Sequence, residues 1–266
     1  MEGGVHRIFM KITVLSENTT KHGLGTEHGL CLYIEACQKK ILFDFGASNL
    51  FLKNADATGV DLAKVDFAVL SHGHSDHAGG LSAFLNVNSH APIYVNSHAL
   101  EPHYNAKGEY IGIDPVLINE KRLVFVENEI NVDTGLRIFN CNHSQSVVSV
   151  PPTGHTKEVY GVRHVDDYAH EQYLLISEGD KRILLSGCSH KGILNIMEWV
   201  KPTHLFGGFH FSRLPLDEKL KAYANSLSTY DTHYYTCHCT GASQFEYLCQ
   251  HMDKLNYITC GETVYI

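Results

Sequence analysis

Apolar residues along this chain fall into short runs rather than long amphipathic stripes, and most runs have the length of a strand. Residues 8–15 ("IFMKITVL"), 30–35 and 40–43 read as three strands, the last two joined by a short polar turn as in a hairpin. Asp44-Phe45-Gly46 breaks the third. Residues 48–56, "SNLFLKNAD", have helical spacing with Ser48 or Asn49 placed as N-cap, and 61–64 predict a short helical turn. Residues 67–70, "FAVL", form an uninterrupted apolar run of the kind shown by a strand buried on both faces. Further on, the pattern predicts a helix starting at 79–85, strands at 92–95, 123–126 and 136–139, and a hairpin of "QYLLIS", the turn "EGDK" and "RILLSG". Helices are predicted at 193–200, 216–226 and 242–252, with strands at 203–208, 234–236 and 262–266. Two segments lack a period: 97–120, a polar excursion and candidate lid, and 141–170, rich in loop residues. With strands and helices mixed throughout and no repeat or Gly/Ser/Pro-rich linker, the expected class is α/β, in a single domain over residues 1–266.

Three of these strands end in groups that bind metals. "FAVL" runs into His72, His74, Asp76 and His77 within "SHGHSDHAGG"; "RILLSG" runs into Cys188 and His190; "YYT" runs into Cys237 and His238. Side chains at the carboxyl ends of separate strands can meet in one crevice. In a loop, alternate residues His72 and His74 can face one side while Asp76 and His77 reach another, so one short segment can serve two adjacent ions. Imidazole nitrogen and carboxylate oxygen suit divalent zinc, manganese or iron. His98, His103, Tyr104 and Tyr110 read as lid or surface residues.

Composition narrows the picture. Histidine is the anomaly, at 19 residues against 21 Lys plus Arg. A net charge of -8 gives no basic footprint, which disfavours nucleic acid as a partner. No apolar run approaches the ~18 residues that span a bilayer, so no membrane partner is expected. The first residues lack a secretory signal, which reads as cytoplasmic, and the eight scattered cysteines read as reduced thiols.

The combination of "SHGHSDHAGG", "GCSHKGI", "GGFH" and "CHCTG" resembles the metallo-β-lactamase superfamily, whose hallmark is the His-x-His-x-Asp-His loop. The resemblance runs from Asp44 in "LFDFG" to "HCTG" and is nearest the branch of metal-dependent hydrolases similar to a dihydropterin ribofuranosyl-aminobenzene phosphate synthase. It implies a four-layer αββα sandwich with two divalent metal ions at one edge, zinc foremost, with manganese or iron as alternatives. His72 and His74 would bind one ion, Asp76 and His77 the other, and His238 would complete the second site. Where many relatives carry a bridging Asp, this chain has Cys188, with His190 two residues on, and either could take the position. His170, His155 or no residue could complete the first site. Asp44 is expected to buttress the histidine loop, and His210 to bind substrate or support a ligand.

The activity implied is hydrolysis, by metal-bound hydroxide, of a small polar or phosphorylated substrate of the ester, lactone or phosphoester class. Asp76 would be both ligand and proton shuttle. Three alternatives stand beside it: a pterin-pathway condensation, a mononuclear iron dioxygenase, and a binding module for nucleic acid or ligand. A homodimer is compatible with the sequence, which does not specify oligomeric state.

Overall fold

The uninterrupted apolar runs form strands that sit between two apolar layers, so both faces of each strand need hydrophobic side chains. The computed structural model describes residues 10–266; residues 8 and 9 of the first predicted strand lie outside the described residues. In chain order the first half comprises β1 (Lys11–Ser16), β2 (Cys31–Ala36), β3 (Lys39–Phe43), α1 (Leu50–Thr58), β4 (Phe67–Val69), α2 (Ser75–Ala78), α3 (Leu81–Val87), β5 (Ile93–Asn96), β6 (His103–Tyr104) and β7 (Leu123–Val126). The second half has β8 (Glu129–Asp133), β9 (Leu136–Phe139), β10 (Thr156–Val159), β11 (Val162–Val165), β12 (Tyr173–Glu178) and β13 (Lys181–Leu185). It continues with α4 (Ile193–Val200), β14 (His204–Phe206), α5 (Glu218–Leu227), β15 (His233–Thr236), α6 (Ala242–Leu248), β16 (Leu255–Tyr257) and β17 (Thr263–Tyr265).

Two seven-stranded sheets face each other, one ordered β17-β1-β2-β3-β4-β5-β7 and the other β16-β15-β14-β13-β12-β9-β8. Between them lies a layer that includes Ile12, Ile34, Ile41, Phe43, Phe67, Val69, Leu174, Ile176, Ile183 and Leu185. The alternate residues of the same strands point outward. Leu42 and Ala68 pack with Phe51 of α1 and Phe84 of α3, while Tyr173, Leu175 and Leu184 pack with α4, α5 and α6. Three apolar layers between four layers of secondary structure make an αββα sandwich. No helix among the described residues is long and apolar enough to cross a membrane. All eight cysteines are free.

Strand direction positions the site. β1 and β3 each pair antiparallel with β2, and β4 runs parallel to β3, so β1, β3 and β4 share one direction. In the second sheet β13, β14 and β15 are mutually parallel.

Several expectations needed adjustment. The 141–170 segment contains a β10–β11 hairpin that pairs with β6 in a small third sheet, and β11 is exposed throughout, so it shows no apolar alternation. Residues 97–120 are anchored by Ala99, Ile113 and Leu117 in the core. The 203–208 strand stops at Phe206, because Gly207 adopts φ +141° and a Cβ there would lie 1.7 Å from the Ser186 carbonyl oxygen. Gly207→Ala is therefore expected to cost about 2–4 kcal/mol. A lowered urea midpoint is the readout, and an unchanged one contradicts this account.

Candidate metal centre

Each of the three loops with candidate ligands is held by one fully buried carboxylate. The first loop leaves β4 at Val69, and α2 winds one turn that places Asp76 and His77 side by side with His74 as its N-cap residue. Asp44, at the end of β3 with φ 61°, clasps this loop. Its Oδ1 accepts the Ser71 N–H at 2.7 Å, and Oδ2 accepts the Ser71 hydroxyl at 2.8 Å and lies 2.7 Å from His77 Nδ1. The single hydroxyl proton of Ser71 goes to Asp44, so Ser71 Oγ accepts from His72 Nδ1 at 2.8 Å, leaving a lone pair on His72 Nε2. His77 Nε2 in turn faces Cys188 Sγ at 3.2 Å.

The second loop follows β13. Glu171, just before β12, accepts the N–H of His190 at 2.7 Å and of Lys191 at 3.0 Å, and also the Tyr173 hydroxyl at 2.9 Å. The third follows β15, where His238 sits at φ 49°. Glu17, directly after β1, accepts the His238 N–H and the Tyr257 hydroxyl, both at 2.7 Å, and the Thr19 N–H at 2.6 Å. Asn18 Oδ1 lies 2.9 Å from His238 Nδ1, so Nε2 faces Asp76 Oδ2 at 3.2 Å.

The result is a set of adjoining donor groups. Asp76, His77, Cys188 and His238 have ligand atoms within 4.8 Å of one another, as do His72, His74 and His190. Cys188 and His190 thus fall in different groups rather than competing for one position. The Nε2 atoms of His72 and His74 and both ring nitrogens of His190 are buried with no hydrogen-bond partner. Buried polar atoms are normally paired, and convergent bare imidazole nitrogens fit a divalent cation. Of the two candidates for completing the first group, His155 belongs to neither group, although its ring centroid is 5.3 Å from that of His74. His170 accepts the Gly73 N–H at Nδ1, 2.8 Å away, and gathers with His74, His103 and Asp166 in a third group. His210 lies beside His190, ring centroids 4.5 Å apart, outside all three groups.

Sequence reasoning missed several contributors. His103, read as a lid or surface residue, is 0% exposed, because pairing of β6 with β10 turns its ring inward against His74 and His170. Asp166 lies in an unpatterned segment. Glu17 and Glu171 carried one usable signal, an acidic residue within two positions of the end of a buried strand. Exposed His28 lies 3.5 Å from Asp76 Oδ2, its ring 4.5 Å from that of His238.

Burial, followed by neighbouring imidazoles, pushes His72, His74 and His190 well below the ordinary histidine range, and His210 to about 4. At His77 burial acts the same way, but the carboxylates of Asp76 and Asp44 outweigh it and push the ring up to about 9. Burial raises Asp76, yet His77 and His238 hold it below the usual carboxylate range. Burial and then Cys239 push the Cys188 thiol up.

In chelator-treated protein the depressed histidines bind protons more readily unfolded than folded. Their stability contribution is complete above about pH 6.5 and is lost as pH falls toward their folded values, at about 1.4 kcal/mol per pH unit for each ring. His77 has the opposite sign, with its contribution present below pH 6.5 and lost as pH rises through about 9. The depressed rings outnumber it, so the urea midpoint is expected to fall steeply from pH 6.5 to pH 5; a flat profile there contradicts this balance.

A sequence model of the metallo-beta-lactamase superfamily matches residues 24–226. The MJ0448 protein of Methanocaldococcus jannaschii is 28% identical over 239 residues, covering 86% of this chain and 90% of that one. From the same organism, 7,8-dihydropterin-6-methyl-4-(beta-D-ribofuranosyl)-aminobenzene-5'-phosphate synthase is 25% identical over 227 residues, covering 76% and 77%. Among solved structures, Tm1679, a metal-dependent hydrolase of the beta-lactamase superfamily, superposes with a TM-score of 0.83 at 26% identity, covering 97% of this chain and 99% of that one.

Proposed function

The chain belongs to the metallo-β-lactamase superfamily, and from that membership we propose that it is a metal-dependent hydrolase of a small polar or phosphorylated ester, lactone or phosphoester. The observation that carries this reading is the pair of adjoining donor groups, one of which presents bare, buried imidazole nitrogens. His72, His74 and His190 would hold one divalent ion, and Asp76, His77, Cys188 and His238 a second. A thiolate beside imidazoles favours zinc over manganese. Such a pair of ions supplies an activated water and stabilises charge on the displaced oxygen.

The chain's own residues do the rest. Asp44, Glu171 and Glu17 hold the three loops in register through backbone amides, so the donors need little rearrangement. Asp76 remains a carboxylate at working pH, and its partly exposed side chain lies 3.5 Å from His28, so it can accept a hydrogen bond from a water and orient it. Two cavities meet at His190. The larger, of about 1160 Å³, is lined by Lys157, Lys191, His155 and Tyr168 and suits a polar or anionic group. The smaller, of about 190 Å³, is lined by Ile193, Phe209, Phe211, Leu214 and Tyr223, with His210 at its edge, and suits an apolar one.

A second reading, a condensing synthase, draws on the similarity to the pterin synthase and on the size of the larger cavity, which exceeds the ~300–1,000 Å³ of ordinary small-molecule sites.

Elemental mass spectrometry on protein purified without chelator tests the reading. About two zinc per chain are expected, falling to about one in His74→Ala and in Cys188→Ala; a metal-free wild type overturns it. With p-nitrophenyl esters, lactones and phosphodiesters as substrates, the zinc-loaded protein should hydrolyse at least one class, with kcat/KM lowered at least ~100-fold in Asp76→Asn. Metal loading without hydrolysis of any class would favour the synthase. Asp44→Asn, which disturbs only the support of His77 and Ser71, should weaken metal affinity about 10–100-fold while the circular dichroism spectrum is retained.

A further inference from the structure

A second thiol lies against the donor group that contains Cys188. Cys239 follows His238 directly, is buried and free, and belongs to none of the donor groups. Its Sγ lies 3.6 Å from the Cys188 carbonyl oxygen, and it reaches the Cys188 thiol closely enough for a side-chain hydrogen bond. Cys188 Sγ therefore has two kinds of neighbour, His77 Nε2 at 3.2 Å and another sulfur.

The two cysteines follow β13 and β15, which are separated in the sheet by β14. The chain leaving β14 passes through Gly208, whose N–H donates to the Gly187 carbonyl at 2.8 Å. A Cβ at Gly208 would lie 2.2 Å from Cys239 Sγ, well inside contact distance. Glycine at this one position leaves the space in which the Cys239 sulfur crosses toward Cys188. Cys237, two residues earlier, packs instead into the apolar layer between the sheets.

We propose that Cys188 and Cys239 are a redox pair, which hydrogen peroxide joins in a disulfide that withdraws Cys188 from the second metal site. This rests on the metal reading above but not on hydrolysis. As a zinc ligand Cys188 is a thiolate, the nucleophilic form of the side chain. Its sulfur attacks one peroxide oxygen, the O–O bond breaks, hydroxide leaves, and Cys188 becomes a sulfenic acid. The Cys239 sulfur then attacks the Cys188 sulfur, the S–O bond breaks, and the departing oxygen takes the Cys239 proton with it as water. The two sulfurs lose two electrons, and one peroxide is reduced to hydroxide and water. An oxidant this small can enter beside Asp76, whose side chain is 25% exposed and belongs to the same donor group as Cys188. The disulfide leaves Asp76, His77 and His238 as the remaining donors, and reduction by a dithiol returns the thiolate.

Peptide mapping and metal counting on the same zinc-loaded sample test the proposal. After peroxide treatment, a non-reducing tryptic digest should link the peptide 183–191, which carries Cys188, to 222–254, which carries Cys239. Bound zinc should fall from about two to about one per chain, and dithiothreitol followed by added zinc should restore it. Cys239→Ala should form no such link and should accumulate Cys188 sulfinic acid that dithiothreitol does not reduce. If Cys239→Ala fails to fold by circular dichroism, Cys239→Ser takes its place. The proposal is overturned by wild type that goes to the sulfinic acid without the link, by a link that survives in the Cys239 variant, or by a link formed with no zinc released. A wild type that holds no zinc before treatment would instead fail the metal reading, and the digest would still show whether the two sulfurs pair.

Discussion

A carboxylate removed from water costs several kcal/mol unless its lone pairs are filled, and Glu17, Asp44 and Glu171, all 0% exposed, are filled by the loops that carry the candidate ligands. The dependence runs both ways. The loops adopt conformations that few sequences favour, with Ser189 and His238 at positive φ, and the carboxylates supply the acceptors that hold their amides in place. Removing one clasp would leave orphaned amides in the interior as well as a misplaced ligand, so geometry and stability are coupled at the same atoms.

Topology makes the coupling available. Glu17 and Asp44 follow β1 and β3, whose common direction with β4 delivers them to the edge where His72 emerges. The parallel run β13, β14 and β15 delivers Cys188, His210 and His238 to the facing edge of the second sheet. Residues as far apart as Glu17 and His238 become hydrogen-bond partners because two sheets present the same kind of strand end to one cleft.

The strands and the α/β class were legible because burial on both faces writes itself into strands such as "FAVL" and "YLLIS" as unbroken apolar runs, whereas the αββα arrangement was implied by the family resemblance that the motifs carry. The residues of the His-x-His-x-Asp-His loop were legible for a different reason, a dense local motif directly behind such a run. His103, Asp166 and the β10–β11 hairpin were not, since their placement follows from pairing of β6 with β10 across about fifty residues of weakly patterned chain, and nothing local marks either strand. Likewise the choice between Cys188 and His190 had no answer in the sequence. Residues two apart after a strand can face different groups, and only the turn at Ser189 sends them there.

That division also sets the charge of the proposed centre. Asp76 and a deprotonated Cys188 would bring two negative charges to a divalent ion held with His77 and His238, whereas His72, His74 and His190 bring none. An ion held by imidazoles alone keeps its full charge in a buried setting, where electrostatic effects are strong. The polar and apolar cavities meet beside the histidine-only group, at His190. On the proposed reading, an anionic or carbonyl oxygen entering from the larger cavity would be drawn toward the histidine-only group.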